Sequence, residues 1–335
     1  MSRAPKKRAP GFLSDESIPA SLEKESVRCC VCGSEGAETV AIGYDYEYRT
    51  SRDEWTYVRC TGCELVYLNP RPAVSELRRI YPPTYYSFNE EQRSNPVVTF
   101  FRRKLEAMKA RAFQRLLGKG PRRILDVGCG DGRFLDALRD FGPSDWELHG
   151  IDIDEPAVER AKALGLQAEF SRLEDFDPGP DKFDMIVLFQ VIEHVSEPDE
   201  MARKVRELLA PGGIFVVETP DVAGWDEALY RDGLWGGYHI PRHWTLFTPT
   251  TLGKLLTNAG FEIVEGAPLI STSFWINSFY NSALVRGKSQ RRLDFFHYQN
   301  PLLLAPLILL DKLRMLFGAR TSNQRLIARR VDERS

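Results

Sequence analysis

At 335 residues, with 43% apolar and 27% charged residues, the chain is long enough to bury one principal core and a smaller one. Its composition is that of a globular protein, not a disordered or fibrous one. Its 45 Lys and Arg stand against 47 Asp and Glu, and a net charge of -2 carries no global excess to hold a polyanion, so no nucleic-acid partner is expected. The longest apolar run, Leu302 to Leu310, is too short to span a bilayer.

Arg3, Lys6, Lys7 and Arg8 open the chain with no apolar leader core behind them, which predicts a disordered basic tail over 1–25 of a cytoplasmic protein. Five of the six cysteines come next, before residue 64, in Cys29-Cys30-Val31-Cys32 and Cys60-Thr61-Gly62-Cys63. Two Cys-x-x-Cys knuckles separated by 27 residues suit one tetrahedral zinc ion, each knuckle delivering two thiolates across a tight turn. Cys29, Cys32, Cys60 and Cys63 are the predicted ligands, with Cys30 left over, and four protein ligands leave the metal no open position, so its role would be structural. Disulfides or uncoordinated thiols are the competing readings. Thr39 to Val58, rich in Tyr, Thr, Val and Trp, reads as a β-hairpin between the knuckles, so a zinc-ribbon-like β module is expected over 26–72. Tyr81, Tyr85, Tyr86 and Phe88 then lie in a linker and helical cap over 73–120, where they either cover a cofactor cleft or pack a domain linker. Helical spacing predicts one helix from Pro96 to Leu117.

Ile124-Leu-Asp-Val-Gly-Cys-Gly-Asp-Gly-Arg-Phe-Leu135 is an apolar strand running into Gly128, Gly130 and Gly132, with a helix beginning at Arg133. Glycines let backbone approach a ligand without Cβ atoms in the way, and the helix start favours electron-rich groups. A dinucleotide fingerprint would need its third glycine at position 133, which is arginine. About 20 residues on, Glu147-Leu-His-Gly-Ile-Asp152 is a second strand ending in a carboxylate able to take both ribose hydroxyls. Alternatively Asp152 caps the next helix, a role that Asp154 fills at least as well. The glycine segment resembles motif I of the class I methyltransferases, in which an acidic residue, here Asp126, precedes Gly-x-Gly-x-Gly. The resemblance implies S-adenosylmethionine as cofactor, held by Asp126, Gly128, Cys129, Gly130, Gly132, Asp152 and Ile153. It also implies an α/β fold: a doubly wound, mostly parallel, seven-stranded Rossmann-like sheet over 121–335.

Strands at about 123–128, 147–152, 167–170, 183–189 and 213–219 alternate with helices at about 132–141, 155–164 and 198–210. A helix over 248–259, a sixth strand over 261–267 and a seventh over 323–330 complete the pattern, with a helical insertion at about 270–318. In class I methyltransferases the segment after strand three holds the adenine, which points to Leu173 and Glu174, or to Asp175. Phe183 to Val195, a buried strand running into Gln-x-x-Glu-His, resembles the fourth strand of the family that includes the ubiquinone-biosynthesis O-methyltransferases. It implies Gln190 near the methionine end of the cofactor and His194 at the acceptor edge, as a base or as a structural histidine. Tyr238, His239, Arg242, His243 and Trp244 cluster in an irregular segment where this fold places acceptor-binding insertions, and His239 and His243 join His194 as candidate bases. Arg242 would hold an acceptor phosphate or carboxylate, or pair with an acid.

From Arg286 to Arg330, ten Lys and Arg face only Asp294 and Asp311. The apolar stretch 301–317 among them reads either as an interfacial helix on anionic lipid at the inner membrane face, or as a lid or homodimer helix. The cysteine segment, with Leu65 to Pro72 and Tyr81 to Phe88 after it, also resembles the zinc-binding N-terminal segment of bacterial methyltransferases acting on sugars, polysaccharides or lipid-linked forms. The expected function is therefore O-methylation of a small-molecule or glycan-type acceptor. An RNA methyltransferase and a non-catalytic cofactor-binding protein are the alternatives.

Overall fold

The structure is a computed structural model that describes residues 10–83, 85, 96–230, 232–297 and 300–331. Residues 1–9 of the expected tail, Tyr86 and Phe88 lie outside the described residues. Short strands open the chain: β1 (Lys24–Glu25), β2 (Ala37–Gly43), β3 (Trp55–Cys60), β4 (Val66–Leu68) and β5 (Arg71–Pro72), then α1 (Leu77–Ile80). The long helix α2 (Pro96–Leu117) leads into β6 (Arg123–Val127), α3 (Arg133–Phe141), β7 (Glu147–Asp152), α4 (Glu155–Ala163), β8 (Gln167–Phe170), β9 (Phe183–Phe189), α5 (Pro198–Leu208) and β10 (Leu209–Pro220). The chain ends with α6 (Trp225–Leu229), β11 (Thr245–Leu246), α7 (Pro249–Asn258), β12 (Phe261–Leu269), α8 (Thr272–Val285), α9 (Gln290–Leu293), α10 (Pro301–Leu316) and β13 (Asn323–Arg330).

These elements form two units. One takes Pro83–Thr219, Pro249–Ala267 and Gln324–Ser335, and is built on a seven-stranded sheet of order β12-β13-β10-β9-β6-β7-β8. The pairs β7/β8, β6/β7, β6/β9 and β9/β10 are parallel, as the alternating strand and helix pattern requires. Strands covered on both faces are apolar almost throughout: in Phe183–Phe189 five of seven residues are buried. Phe113 of α2, Phe134 and Leu135 of α3 and Met185 of β9 lie in one core. Strand order reverses between β6 and β9, and the parallel pairing puts the carboxyl ends of β6, β7, β9 and β10 on one edge, where doubly wound sheets bind ligands.

The other unit takes Met1–Pro82, Pro220–Thr248 and Pro268–Asn323. Its four-stranded sheet has the order β11-β4-β3-β2 with antiparallel neighbours, and the β2/β3 pair is the hairpin expected between the cysteine knuckles. Trp55, Tyr57, Trp235, Tyr238 and Trp244 dominate its core. The expected insertion at 270–318 falls in this unit, where Trp275 and Ile276 of α8 pack with Leu307 of α10. Residues 10–25 fall in the stretch expected to be an unfolded tail, yet Phe12 and Leu22 are buried and β1 pairs with β5. The Asp53 carboxylate accepts from the Leu22 amide at 2.8 Å and meets Lys24 Nζ at 2.8 Å, which fixes this segment.

Candidate functional site

In the seven-stranded unit the glycine loop joins β6 to α3. Gly128, Gly130 and Gly132 have φ of 76°, 55° and 81°, a region where a Cβ is strained. An alanine at 128 would put its Cβ 2.5 Å from Val191 Cγ2, whereas one at 130 would meet nothing within 4 Å. The loop is therefore packed at its root and open at Gly130. The Gly128 and Cys129 amides donate to the Ile151 carbonyl at 2.8 and 3.1 Å, and the Gly130 amide donates to Asp152 Oδ2 at 2.7 Å. Asp152 Oδ1 accepts from the Asp154 amide at 2.8 Å, so each carboxylate oxygen holds one N–H and keeps a lone pair for a hydroxyl donor. Asp154 occupies the N-cap position of α4, without a side-chain capping bond. Ile153 is 67% exposed beside Asp152, Leu173 is buried, and Glu174 and Asp175 are exposed.

Asp126 is buried, and its Oδ1 has no hydrogen-bond partner among the described residues. Burial pushes its pKa up to about 7; the neighbouring Lys109 lowers it, while Asp152 and Glu218 raise it. Sequence reasoning missed Lys109 and Glu218. Lys109 Nζ lies 3.0 Å from Glu218 Oε1 and 3.1 Å over the Phe189 ring, and Glu218 also takes the Arg325 guanidinium, with Nε at 2.8 Å. The signal for Glu218 was its place at the carboxyl end of the fifth sheet strand. Asp126, Asp152 and Glu218 thus set three carboxyl groups against two cations, Lys109 and Arg325.

Gln190 sits at φ 58° just past β9, its amide donating to the Glu218 carbonyl at 2.8 Å, and half-buried His194 lies four residues on. Between them, buried Glu193 accepts from Thr219 Oγ1 at 2.9 Å through Oε2, while Oε1 has no partner among the described residues. Burial pushes its pKa up to about 8.

His239 and His243 belong to the four-stranded unit. The segment around them is buried: Tyr238, His239, Arg242, His243 and Trp244 are all under a tenth exposed. Arg242 realises the second of its two expected roles. It pairs with Asp45 at 2.8 Å with both side chains fully buried, and donates to the Ile80 and Ile240 carbonyls at 2.6 and 2.9 Å. Tyr57 Oη lies 2.7 and 2.6 Å from the Tyr238 and His243 carbonyls and shares its one proton between them. His243 Nδ1 is 2.8 Å from the Gly237 carbonyl, which only accepts, so Nδ1 carries the proton and Nε2 is the basic nitrogen. His239 Nδ1 is 3.1 Å from Glu47 Oε1, which also accepts from Asn277 at 3.3 Å. Tyr81 is half-buried in this unit and Tyr85 is buried in the other.

The sulfur atoms of Cys29, Cys32, Cys60 and Cys63 all lie within 4.8 Å of one another, with Cys29 and Cys63 at 3.4 Å and Cys32 and Cys60 at 3.5 Å. Four thiolates around zinc at ~2.3 Å would be about 3.8 Å apart, a separation that lies within the spread of this cluster. A Cβ at Gly62 would come within 3.3 Å of Cys32 Sγ, a tight contact in this cluster. Burial raises the Cys60 pKa, but the Gly62 and Cys63 amides and the neighbouring thiols bring it down to about 7.

Residues 101–266 match the family described as Methyltransferase domain. A Mycolicibacterium smegmatis protein named "Probable S-adenosylmethionine-dependent methyltransferase" is 31% identical over 157 residues, 46% of this chain and 57% of its own length. The ubiquinone biosynthesis O-methyltransferase of Psychrobacter arcticus is 28% identical over 165 residues, 43% of this chain and 61% of that enzyme. The match thus spans less than two thirds of either relative. Among solved structures, the plantazolicin methyltransferase BpumL in complex with SAH is 18% identical over 78% of this chain and 92% of its own, with a TM-score of 0.47.

Proposed function

We propose that this chain, whose residues 101–266 form a class I S-adenosylmethionine-dependent methyltransferase domain, methylates a hydroxyl oxygen of a small molecule, a sugar, a polysaccharide or a lipid-linked form of these. The observation that carries the reading is the incomplete carboxylate set at the open glycine loop: Asp126 with an unpartnered buried oxygen, and Asp152 with one lone pair per oxygen to spare. The bound donor supplies an electrophilic methyl on a sulfonium. Asp152 takes the ribose hydroxyls, the backbone of Gly128, Cys129, Gly130 and Gly132 lies against the donor, and Asp126 faces its cationic end. Ile153 and Leu173 offer apolar surface to the adenine, with Glu174 or Asp175 as the polar partner, and Gln190 flanks the methionine part.

Methyl transfer needs an aligned acceptor and a place for its proton. His194, which lies just past β9 in the same unit, takes the hydroxyl proton as the oxygen pair bonds the methyl carbon. The pair of the breaking carbon–sulfur bond stays on sulfur. His243 and His239, each with Nδ1 at an acceptor, are the other two candidate bases. Cys29, Cys32, Cys60 and Cys63 hold one structural zinc ion, with no position left for substrate.

Calorimetry tests the donor site: wild-type protein binds S-adenosylmethionine, and Asp152→Ala weakens it by about tenfold or more, the worth of a lost charge-assisted hydrogen bond. Unchanged affinity would refute the ribose role. With a labelled methyl donor and a panel of hydroxylated acceptors, His194→Ala lowers turnover by about a hundredfold or more at unaltered donor affinity. If His243→Ala carries that loss instead, the base is His243.

A further inference from the structure

The four-stranded unit contains a feature that methyl transfer does not use. Between the end of α8 and Phe296 is a cavity of about 800 Å³ whose lining includes Arg286, Lys288, Arg291 and Arg292 together with Phe279 and Phe296. Among the described residues none of these four cations forms an ion pair. Asp294, the single acid between residues 286 and 310, is hydrogen-bonded to Gln290 at 2.8 Å. The lining is therefore both cationic and aromatic, the chemistry of a receptor for an anionic headgroup on an apolar tail.

α10 of the same unit adds an independent observation. Its inward side carries Leu307 and Asp311, both buried, the latter accepting from the Ser271 amide at 2.7 Å. Its other side presents Leu302 (73% exposed), Leu309 (58%), Leu313 (45%) and Leu316 (77%) at helical spacing, with Phe317 (83%) just beyond. Positions 302, 309, 313 and 316 fall on one face of a helix, so this is a continuous apolar stripe in water, not scattered exposed leucines. Lys312 is exposed alongside it. No helix of the described residues is long and apolar enough to cross a membrane, which suits a helix that lies in an interface.

We infer that the four-stranded unit docks on an anionic lipid surface, with α10 lying in the headgroup region on its Leu302–Leu309–Leu313–Leu316 face and a lipid phosphate held by Arg286, Lys288, Arg291 and Arg292. A second copy packed leucine face to leucine face would cover the stripe and leave the four cations without an anion. RNA would satisfy the cations and leave the leucines in water. An anionic lipid satisfies both. Docking of this kind does not depend on the methyl-transfer reading.

The test is sedimentation of the full chain with vesicles. Phosphatidylcholine–phosphatidylglycerol vesicles should carry it down and pure phosphatidylcholine vesicles should not, with binding weakening as salt rises. Each cation near an anionic surface contributes about fivefold in affinity, so Arg291→Gln with Arg292→Gln should weaken partition by about 25-fold. Leu309→Gln with Leu316→Gln should weaken it by about tenfold or more. Melting temperature and donor affinity, which these exposed positions should leave unchanged, separate loss of docking from loss of folding and from any failure of the methyltransferase reading. Any of three results overturns the inference: a wild-type chain that stays in the supernatant with both vesicle types, RNA binding that the arginine pair abolishes while vesicle binding persists, or a solution dimer that the leucine pair dissociates.

Discussion

Among the described residues, two buried carboxylates of the seven-stranded unit are left short of a partner, unlike four of the other unit. In the four-stranded unit Asp45, Asp53, Asp226 and Asp311 have donors on both oxygens: Arg242, Tyr48 and Thr50 for Asp45, Ser21, Lys24 and Leu22 for Asp53, Ser322 and Trp235 for Asp226, and Ser271 and Trp275 for Asp311. In the seven-stranded unit Asp126 and Glu193 are as deeply buried, yet each keeps an oxygen without a partner among the described residues. An unsatisfied buried polar group costs about 1–3 kcal/mol, so the first arrangement stabilises a fold and the second holds capacity for something else to bind. Titration draws a different line. Burial raises Asp45 but the Arg242 guanidinium more than offsets it, and the pKa falls, whereas burial dominates at Asp226 despite its two donors, as it does at Asp126 and Glu193, where the values rise to about 7 and about 8.

The strongest way to break this comparison is at the thiols, the four-stranded unit's other closed polar cluster. Cys60→Ser should abolish binding of about one zinc equivalent and unfold the module around it, since metal binding in such sites is folding free energy. Metal analysis with circular dichroism reads both, and a stable metal-free wild type would remove the site.

Arg242→Met should come next. It strands the Asp45 charge in a dry environment, for a loss of about 3–5 kcal/mol in denaturant unfolding. The pair's contribution is present above the ordinary carboxylate range near pH 4 and is lost as pH falls through the depressed Asp45 pKa. A loss below about 1 kcal/mol would mean that Asp45 is not closed in this way.

Asp126→Asn should act in the opposite direction. A carboxyl with its folded pKa raised favours the folded state while protonated, and that contribution disappears as pH rises from about 4 through about 7. The substitution should therefore stabilise the donor-free protein at pH 8, on the order of 1 kcal/mol, and weaken donor affinity. A variant less stable than wild type at pH 8 would place Asp126 with the structural carboxylates.

How much of this was legible in the chain depended on sequence distance. The strands and helices of the seven-stranded unit followed from apolar runs and breakers, and the glycine loop from three residues whose φ only glycine adopts comfortably. The cysteine cluster was legible because each knuckle is local and only one loop closure, over the β2/β3 hairpin, brings the two together. Arg242 was ambiguous because its partner Asp45 lies 197 residues away. Lys109 was invisible as anything but a helix residue, since Glu218 is 109 positions on and only sheet order brings them into contact.

The sequence by itself determined the seven-stranded sheet, its glycine loop and the thiol set, because periodicity, glycine stereochemistry and ligand spacing act over a few residues. Only the tertiary structure decided that the histidine and arginine segment is core, that the 270–318 helices join the four-stranded unit, and that Asp126 is left short of a partner. Burial and partnering are properties of surfaces in contact, and residues separated by 100 or more positions meet only once the chain has folded.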